Sequence, residues 1–238
     1  MTPIVIVSGG TKGIGKATIE RFMEAGFDVA TCARREADLI ELQHELQTKF
    51  PQQQLFYKTT DMAIKSEVEA FVAYIHSLER PIAVLVNNTG LFAPGQIHNE
   101  PEDTLESMID TNLYSAYYLT RGVIEKMISA KKGHVFNLCS TASITAYTNG
   151  GSYCISKFAL YGMTKVLREE LKPHGLKVTA ILPGATLTAS WEGVELPKER
   201  FIQARDVAES IWSAYNLTPG AVVEEILIRP QLGDIGWF

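Results

Sequence analysis

The chain has 238 residues, 46% of them apolar and 21% charged, which is enough for one well-filled α/β core and an ordinary globular balance. Its formal net charge of −5 gives no global attraction to nucleic acid or an anionic membrane, and no apolar run approaches the roughly 20 residues that cross a bilayer. Cys32, Cys139 and Cys154 lack C-x-x-C spacing and the five histidines form no ligand cluster, so the sequence predicts a reducing, cytoplasmic setting and no metal.

Short apolar runs alternate with longer amphipathic stretches. Strands are predicted at 4–7, 29–32, 55–58, 83–86, 134–138, 177–182 and 225–228, and helices at 14–24, 36–49, 65–78, 104–130, 152–171 and 204–215. The run Ile4-Val5-Ile6-Val7 is apolar without alternation, as in a strand buried on both faces, and it lacks the basic flank of a signal peptide. Seven strands alternating with helices predict a doubly wound Rossmann fold, a seven-stranded parallel sheet with helices on both faces, in one domain over 1–238. The least regular stretch, 187–200, follows the sixth strand and is predicted to be a substrate loop at the sheet's carboxyl edge.

The first strand runs into Ser8-Gly9-Gly10-Thr11-Lys12-Gly13-Ile14-Gly15, where a helix begins. Glycines allow a tight turn and close approach of a pyrophosphate, and a helix start offers unpaired N–H groups. Gly9, Thr11, Lys12, Gly13, Ile14 and Gly15 are therefore candidate dinucleotide-binding residues. An NAD-binding chain places an acid at the end of the second strand. Here that strand ends Thr31-Cys32-Ala33-Arg34-Arg35, with no acid until Glu36. Arg34 and Arg35 suit a 2′-phosphate that Lys12 can also reach, so the predicted cofactor is NADP(H).

Tyr153 and Lys157 lie four apart on a predicted helix and share a face. An ammonium beside a phenol favours the phenolate, which predicts a lowered Tyr153 pKa and proton exchange with a substrate oxygen. Ser140 follows the fifth strand, Asn112 lies in the helix before it, and Asn87-Asn88-Thr89-Gly90 follows the fourth strand. All can point toward one crevice.

In this order, Gly9…Gly13-Ile14-Gly15, Asp61, Asn87-Asn88-Thr89-Gly90, Asn112, Ser140, Tyr153…Lys157 and Pro183-Gly184…Thr188, the chain resembles the short-chain dehydrogenase/reductase family over nearly its whole length. The resemblance implies that Tyr153 is the acid in reduction and that Ser140 binds the substrate carbonyl. It implies that Lys157 tunes Tyr153 and binds the nicotinamide ribose, and that Asn112 holds a water in a proton relay. Asp61, with Met62 beside it, would meet the adenine. Asn88 and Gly90 would support the cofactor edge, and Pro183, Gly184, Thr186 and Thr188 would line its nicotinamide end. Thr89 departs from the family's usual alanine, and Ser8 from its usual threonine.

Substrate residues are expected from 91–98, 143–150 and 186–200, with Ser140, Tyr147, Tyr153 and Trp191 as candidates. The aromatic content suits an apolar or flat small-molecule carbonyl substrate. Tyr153-Cys154-Ile155-Ser156-Lys157-Phe158, Trp191 and the terminal Arg229-Pro230…Gly233-Asp234-Ile235 resemble the bacterial sepiapterin reductase branch, which implies sepiapterin- or diketone-type ketones. Asp234 is read as a tail residue that can alternatively pair with a pterin edge. A 3-oxoacyl-carrier-protein reductase, with Lys198 and Arg200 facing an acidic carrier, stays open, as does a non-catalytic NADP(H)-binding regulator. The helices at 104–130 and 152–171 resemble those that pair subunits in the family, which implies a homodimer or homotetramer. The apolar terminus Ile235-Gly236-Trp237-Phe238 is expected to dock on its own or another subunit.

Overall fold

The structure, a computed structural model, describes residues 2–188 and 196–235. The strands are β1 (Ile4–Ser8), β2 (Asp28–Ala33), β3 (Leu55–Thr59), β4 (Ile82–Asn87), β5 (Gly133–Leu138), β6 (Leu176–Pro183) and β7 (Glu225–Ile228). They form one parallel sheet in the order β3-β2-β1-β4-β5-β6-β7. Chain direction across the sheet reverses between β1 and β4. That switch opens a crevice beyond the carboxyl ends of these strands, where ligands bind in such sheets.

The unbroken apolar run of β1 serves two cores at once, because successive side chains leave opposite faces of a strand. Val5 and Val7 pack with Ile19 and Phe22 of α1 (Gly13–Glu24), Leu42 and Leu46 of α2 (Glu36–Lys49) and Ile211 of α7 (Ala204–Tyr215). Ile4 and Ile6 pack with Phe71 and Ile75 of α3 (Lys65–Ser77), Leu119 and Val123 of α5 (Ser115–Ala130) and Leu171 of α6 (Gly151–Leu171). The predicted fold class holds, and each strand falls within a residue or two of its predicted bounds.

The helix expected over 104–130 is not uniform. After α4 (Thr104–Ile109) the backbone makes a π turn at Asp110–Tyr114, with the Ser115 N–H donating to the Asp110 carbonyl, before α5 resumes. Such a turn inserts one residue into the helical register and re-aims the side chains beside it. Here it carries the fully buried Asn112. No helix among the described residues is long and apolar enough to cross a membrane.

Candidate active site

The crevice at the switch point holds a cavity of about 970 Å³, near the upper end of the roughly 300–1,000 Å³ usual for small-molecule sites. Its floor at one end is the glycine loop. Gly9 and Gly13 adopt φ of +67° and +54°, a left-handed backbone that glycine enters without strain. A Cβ on Gly15 would lie 2.4 Å from the Gly9 carbonyl oxygen and 2.5 Å from Asn88 Nδ2. Gly15 thus packs behind the loop and does not line the cavity. α1 begins after Lys12, whose side chain does not cap it, and the first turn is left with amide donors facing outward.

Asn88, the first residue after β4, braces this loop. Its Nδ2 donates to the carbonyls of Ser8 (2.9 Å) and Gly9 (3.0 Å), while the Asn88 and Thr89 amides donate to Ser8 Oγ, both at 3.0 Å. The hydroxyl expected at position 8 therefore has a structural task. At the β2 tip, Arg34 and Arg35 line the same cavity with Lys12. Arg35 is bonded to Asp38 by Nε (2.9 Å) and Nη2 (2.6 Å), whereas Arg34 is exposed and makes no ion pair with a described residue. Asp38 escaped sequence reasoning because it sits in the first turn of α2 and folds back on Arg35, beyond the strand tip where an acid is sought.

Thr11, Ile14, Asp61, Met62, Gly90, Pro183, Gly184, Thr186 and Thr188 also line the cavity. Thr188 lies over the glycine loop, its Cγ2 3.0 Å from where a Gly13 Cβ would be.

At the other end stand Ser140, Tyr147, Tyr153 and Lys157. Ser140 follows β5 and heads a short 3-10 turn, its Oγ accepting from the Ala142 amide at 3.1 Å. It also hydrogen-bonds the Tyr153 phenol. The Tyr153 ring meets Phe92 edge to face, with centroids 4.9 Å apart. Lys157 is buried one helical turn on and donates from Nζ to the Leu138 carbonyl at 2.8 Å. Its Nζ lies 5.8 Å from the Tyr153 ring centroid.

The expected lowering of the Tyr153 pKa is not what the structure shows. Burial pushes the phenol up to about 12, with the Ser140 hydrogen bond pulling weakly the other way. Lys157 exerts no comparable pull because its ammonium is turned to a carbonyl, and its own burial lowers it to about 8. At neutral pH the phenol therefore holds its proton and the amine is still mostly charged.

Asn112 sits behind the wall instead of on it. Its Nδ2 donates to the Leu91 carbonyl (3.0 Å) and to Ser156 Oγ (2.8 Å), and its Oδ1 accepts from the Leu91 amide (2.6 Å). Both amide protons are thus committed, and a water held by this side chain has to donate to Oδ1. Ser107 and Thr111, four apart on the helix leading to Asn112, line the cavity too and share one helical face. Asp234 and Ile235 close over the cavity from the C-terminal segment. Asp234 pairs with Arg229 and accepts from the Tyr147 hydroxyl at 3.3 Å, and Ile235 is buried, so the start of the tail docks on its own chain. Trp191 and the last three residues lie outside the described residues.

A short chain dehydrogenase family profile matches residues 3–198. A protein from Chlorobaculum tepidum described as sepiapterin reductase is 28% identical over 99% of both chains. Among solved structures, an actinorhodin polyketide ketoreductase with NADPH has a TM-score of 0.87 at 25% identity, covering 98% of both chains. The closed form of a serine dehydrogenase complexed with NADP+ has a TM-score of 0.86 at 26% identity, covering 99% of this chain and 98% of that one.

Proposed function

Because this chain belongs to the short-chain dehydrogenase/reductase family and is an oxidoreductase of that kind, we propose that it is an NADP(H)-dependent reductase of a small ketone, with Tyr153 as proton donor. The observation that carries the proposal is the meeting of Ser140, Tyr153 and Lys157 at one end of a cavity whose other end holds the glycine loop and Arg34, which makes no ion pair with a described residue. The whole chain acts as one dinucleotide-binding and catalytic domain.

The cavity's size, the left-handed glycines and the uncapped start of α1 fit a dinucleotide. The α1 amides and Thr11 hold the pyrophosphate. Lys12, Arg34 and Arg35 take the 2′-phosphate, Asp61 and Met62 face the adenine, and Asn88 with Gly90 supports the ribose edge. Pro183, Gly184, Thr186 and Thr188 flank the nicotinamide, and Tyr153 and Lys157 its ribose. Reduced nicotinamide, when bound, supplies the hydride.

The protein's own part is alignment and the proton. Ser140 donates a hydrogen bond to the substrate carbonyl oxygen as negative charge grows there. Tyr153, protonated at neutral pH, releases its phenolic proton to that oxygen. Lys157 keeps positive charge beside the site as the phenolate is left behind.

For the substrate we infer a flat, side-chain ketone of the sepiapterin or diketone type. The full-length likeness to a sepiapterin reductase supports it, as do Tyr147, Phe92 and Asp234 at the substrate end; Trp191 is retained as a further contact. A 3-oxoacyl thioester is the second reading, favoured by the likeness to a polyketide ketoreductase. The free, buried cysteines are consistent with a cytoplasmic setting. Exposed Tyr117, Ile155, Phe158 and Val166 on α5 and α6 support a homodimer or homotetramer, which sedimentation tests.

The functional test is NADPH oxidation with sepiapterin, a diketone and a 3-oxoacyl thioester. Turnover of either of the first two supports the pterin-type reading, and turnover of the thioester alone the second. NADPH binding without turnover of any probe points to a regulator.

A further inference from the structure

α6 carries Tyr153 in its first turn, yet its own sequence does not cap it. The preceding residue is Gly150, which offers no side chain, and the first turn has no acid. A helix start without an acceptor leaves amide donors unmet and its positive end uncompensated. Glu100 fills both needs from a loop 52 residues upstream. Its carboxylate accepts from the Ser152 amide at 3.3 Å and, more closely, from the Ser152 hydroxyl.

Space has been cleared for this contact. A Cβ on Gly151 would lie 2.7 Å from Glu100 Oε2, and one on Gly95 would lie 3.0 Å from the Glu100 side chain. The two segments are also tied directly. Gly95 bridges to Gly150, the Gly95 amide donates to the Asn149 carbonyl at 3.1 Å, and Gln96 Nε2 donates to Asn149 Oδ1 at 2.9 Å.

The same loop starts at Leu91, which Asn112 clamps while bonding Ser156 of α6. The loop is thus anchored to α6 at Ser152 and Ser156, one helical turn apart, on either side of Tyr153. Between its anchors it presents Phe92 to the Tyr153 ring.

We propose that Glu100 is a positioning residue: by bonding Ser152 it ties the loop that carries Phe92 to the start of α6 and fixes where the Tyr153 phenol stands. This rests on Tyr153 being the proton donor. Glu100 does not line the cavity, and its effect is exerted through Phe92 and the first turn of α6.

The test compares Glu100→Ala, Glu100→Gln and Ser152→Ala in the full chain, with Tyr153→Phe as reference. It reads kcat and KM with sepiapterin and NADPH, the thermal midpoint, and the ring-to-ring NOE between Phe92 and Tyr153 in aromatic-labelled protein, which needs no substrate. The proposal expects Glu100→Ala to lower kcat by about 10–100-fold, the penalty of a small misplacement, with little change in the KM for NADPH. It expects the NOE to weaken in parallel, and Glu100→Gln, whose single oxygen can accept from the Ser152 amide while its NH2 donates to the Ser152 hydroxyl, to restore both in part. Should Glu100→Ala fail to fold, Ser152→Ala removes the closer bond and is expected to weaken the NOE in the same direction. A lower melting point with the NOE and kcat unchanged would overturn the proposal and leave Glu100 a helix cap. A weakened NOE together with full turnover in Tyr153→Phe would instead place the fault in the choice of proton donor.

Discussion

Asn88 Nδ2 donates to the backbone carbonyls of both Ser8 and Gly9, so one side chain just past β4 sets the shape of the turn after β1. Asn88→Ala leaves those two carbonyls without their donor, a loss of about 1–3 kcal/mol. We expect a lower melting temperature and an NADPH Kd raised about tenfold, equivalent to about 1.4 kcal/mol. Calorimetric titration checks this, and an unchanged Kd would show that the turn keeps its shape unaided.

The two arginines at the β2 tip are not equivalent. Arg34 has no carboxylate partner among the described residues, whereas Arg35 is bonded to Asp38. Losing a charge-assisted bond to a 2′-phosphate removes about 1.5–3 kcal/mol. Arg34→Ala should therefore lower kcat/KM for NADPH by roughly 10–100-fold and leave NADH use nearly unchanged. Arg35→Ala should do less, since its guanidinium already serves Asp38. An equal fall with both cofactors would argue against 2′-phosphate recognition at this tip.

The sheet and the glycine loop were legible in the sequence because their signals are local. Unbroken apolar runs such as Ile4–Val7 mean burial on two faces, and glycines between a strand and a helix mean close approach. What escaped depends on contacts distant in sequence. The stretches on either side of the π turn each read as helix, so nothing marked the one-residue shift that aims Asn112 at Leu91. Glu100 and Ser152 are far apart in the chain, and a loop glutamate announces no partner. The Tyr153 phenol was misjudged because four-residue spacing gives a shared face, not the direction in which Lys157 Nζ points.

Lys157 is expected to set the alkaline limb of activity. Burial lowers its pKa to about 8, so its charge is present below that pH and lost as pH rises through it. The phenol, held up to about 12, keeps its proton throughout this window. The profile of kcat/KM for NADPH reports the free enzyme and should fall above about pH 8. Lys157→Arg, which stays charged, should move that limb upward, and a limb unmoved in this variant would assign it to another group.

His134 should make the fold acid-sensitive. The single Thr179 hydroxyl proton goes to the Val223 carbonyl at 2.5 Å, so His134 Nε2 is the donor in its 2.7 Å bond to Thr179. Burial depresses its pKa to about 3. Between the ordinary value of 6.5 and that depressed one, the unfolded chain binds a proton that the folded chain refuses, so stability present above 6.5 is lost as pH falls. The slope from this group approaches about 1.4 kcal/mol per pH unit. Thermal melts from about pH 6.5 to 5, above the range where most carboxylates protonate, should show a shallower decline in His134→Gln.

Tyr153 is expected to deliver the proton. The most direct measurement is sepiapterin or diketone reduction by Tyr153→Phe, with NADPH affinity measured alongside. Losing a general acid lowers rate by about 10²–10⁴-fold, so we predict a collapse of kcat on that scale with NADPH Kd little changed. Turnover at the unsubstituted rate would contradict the account.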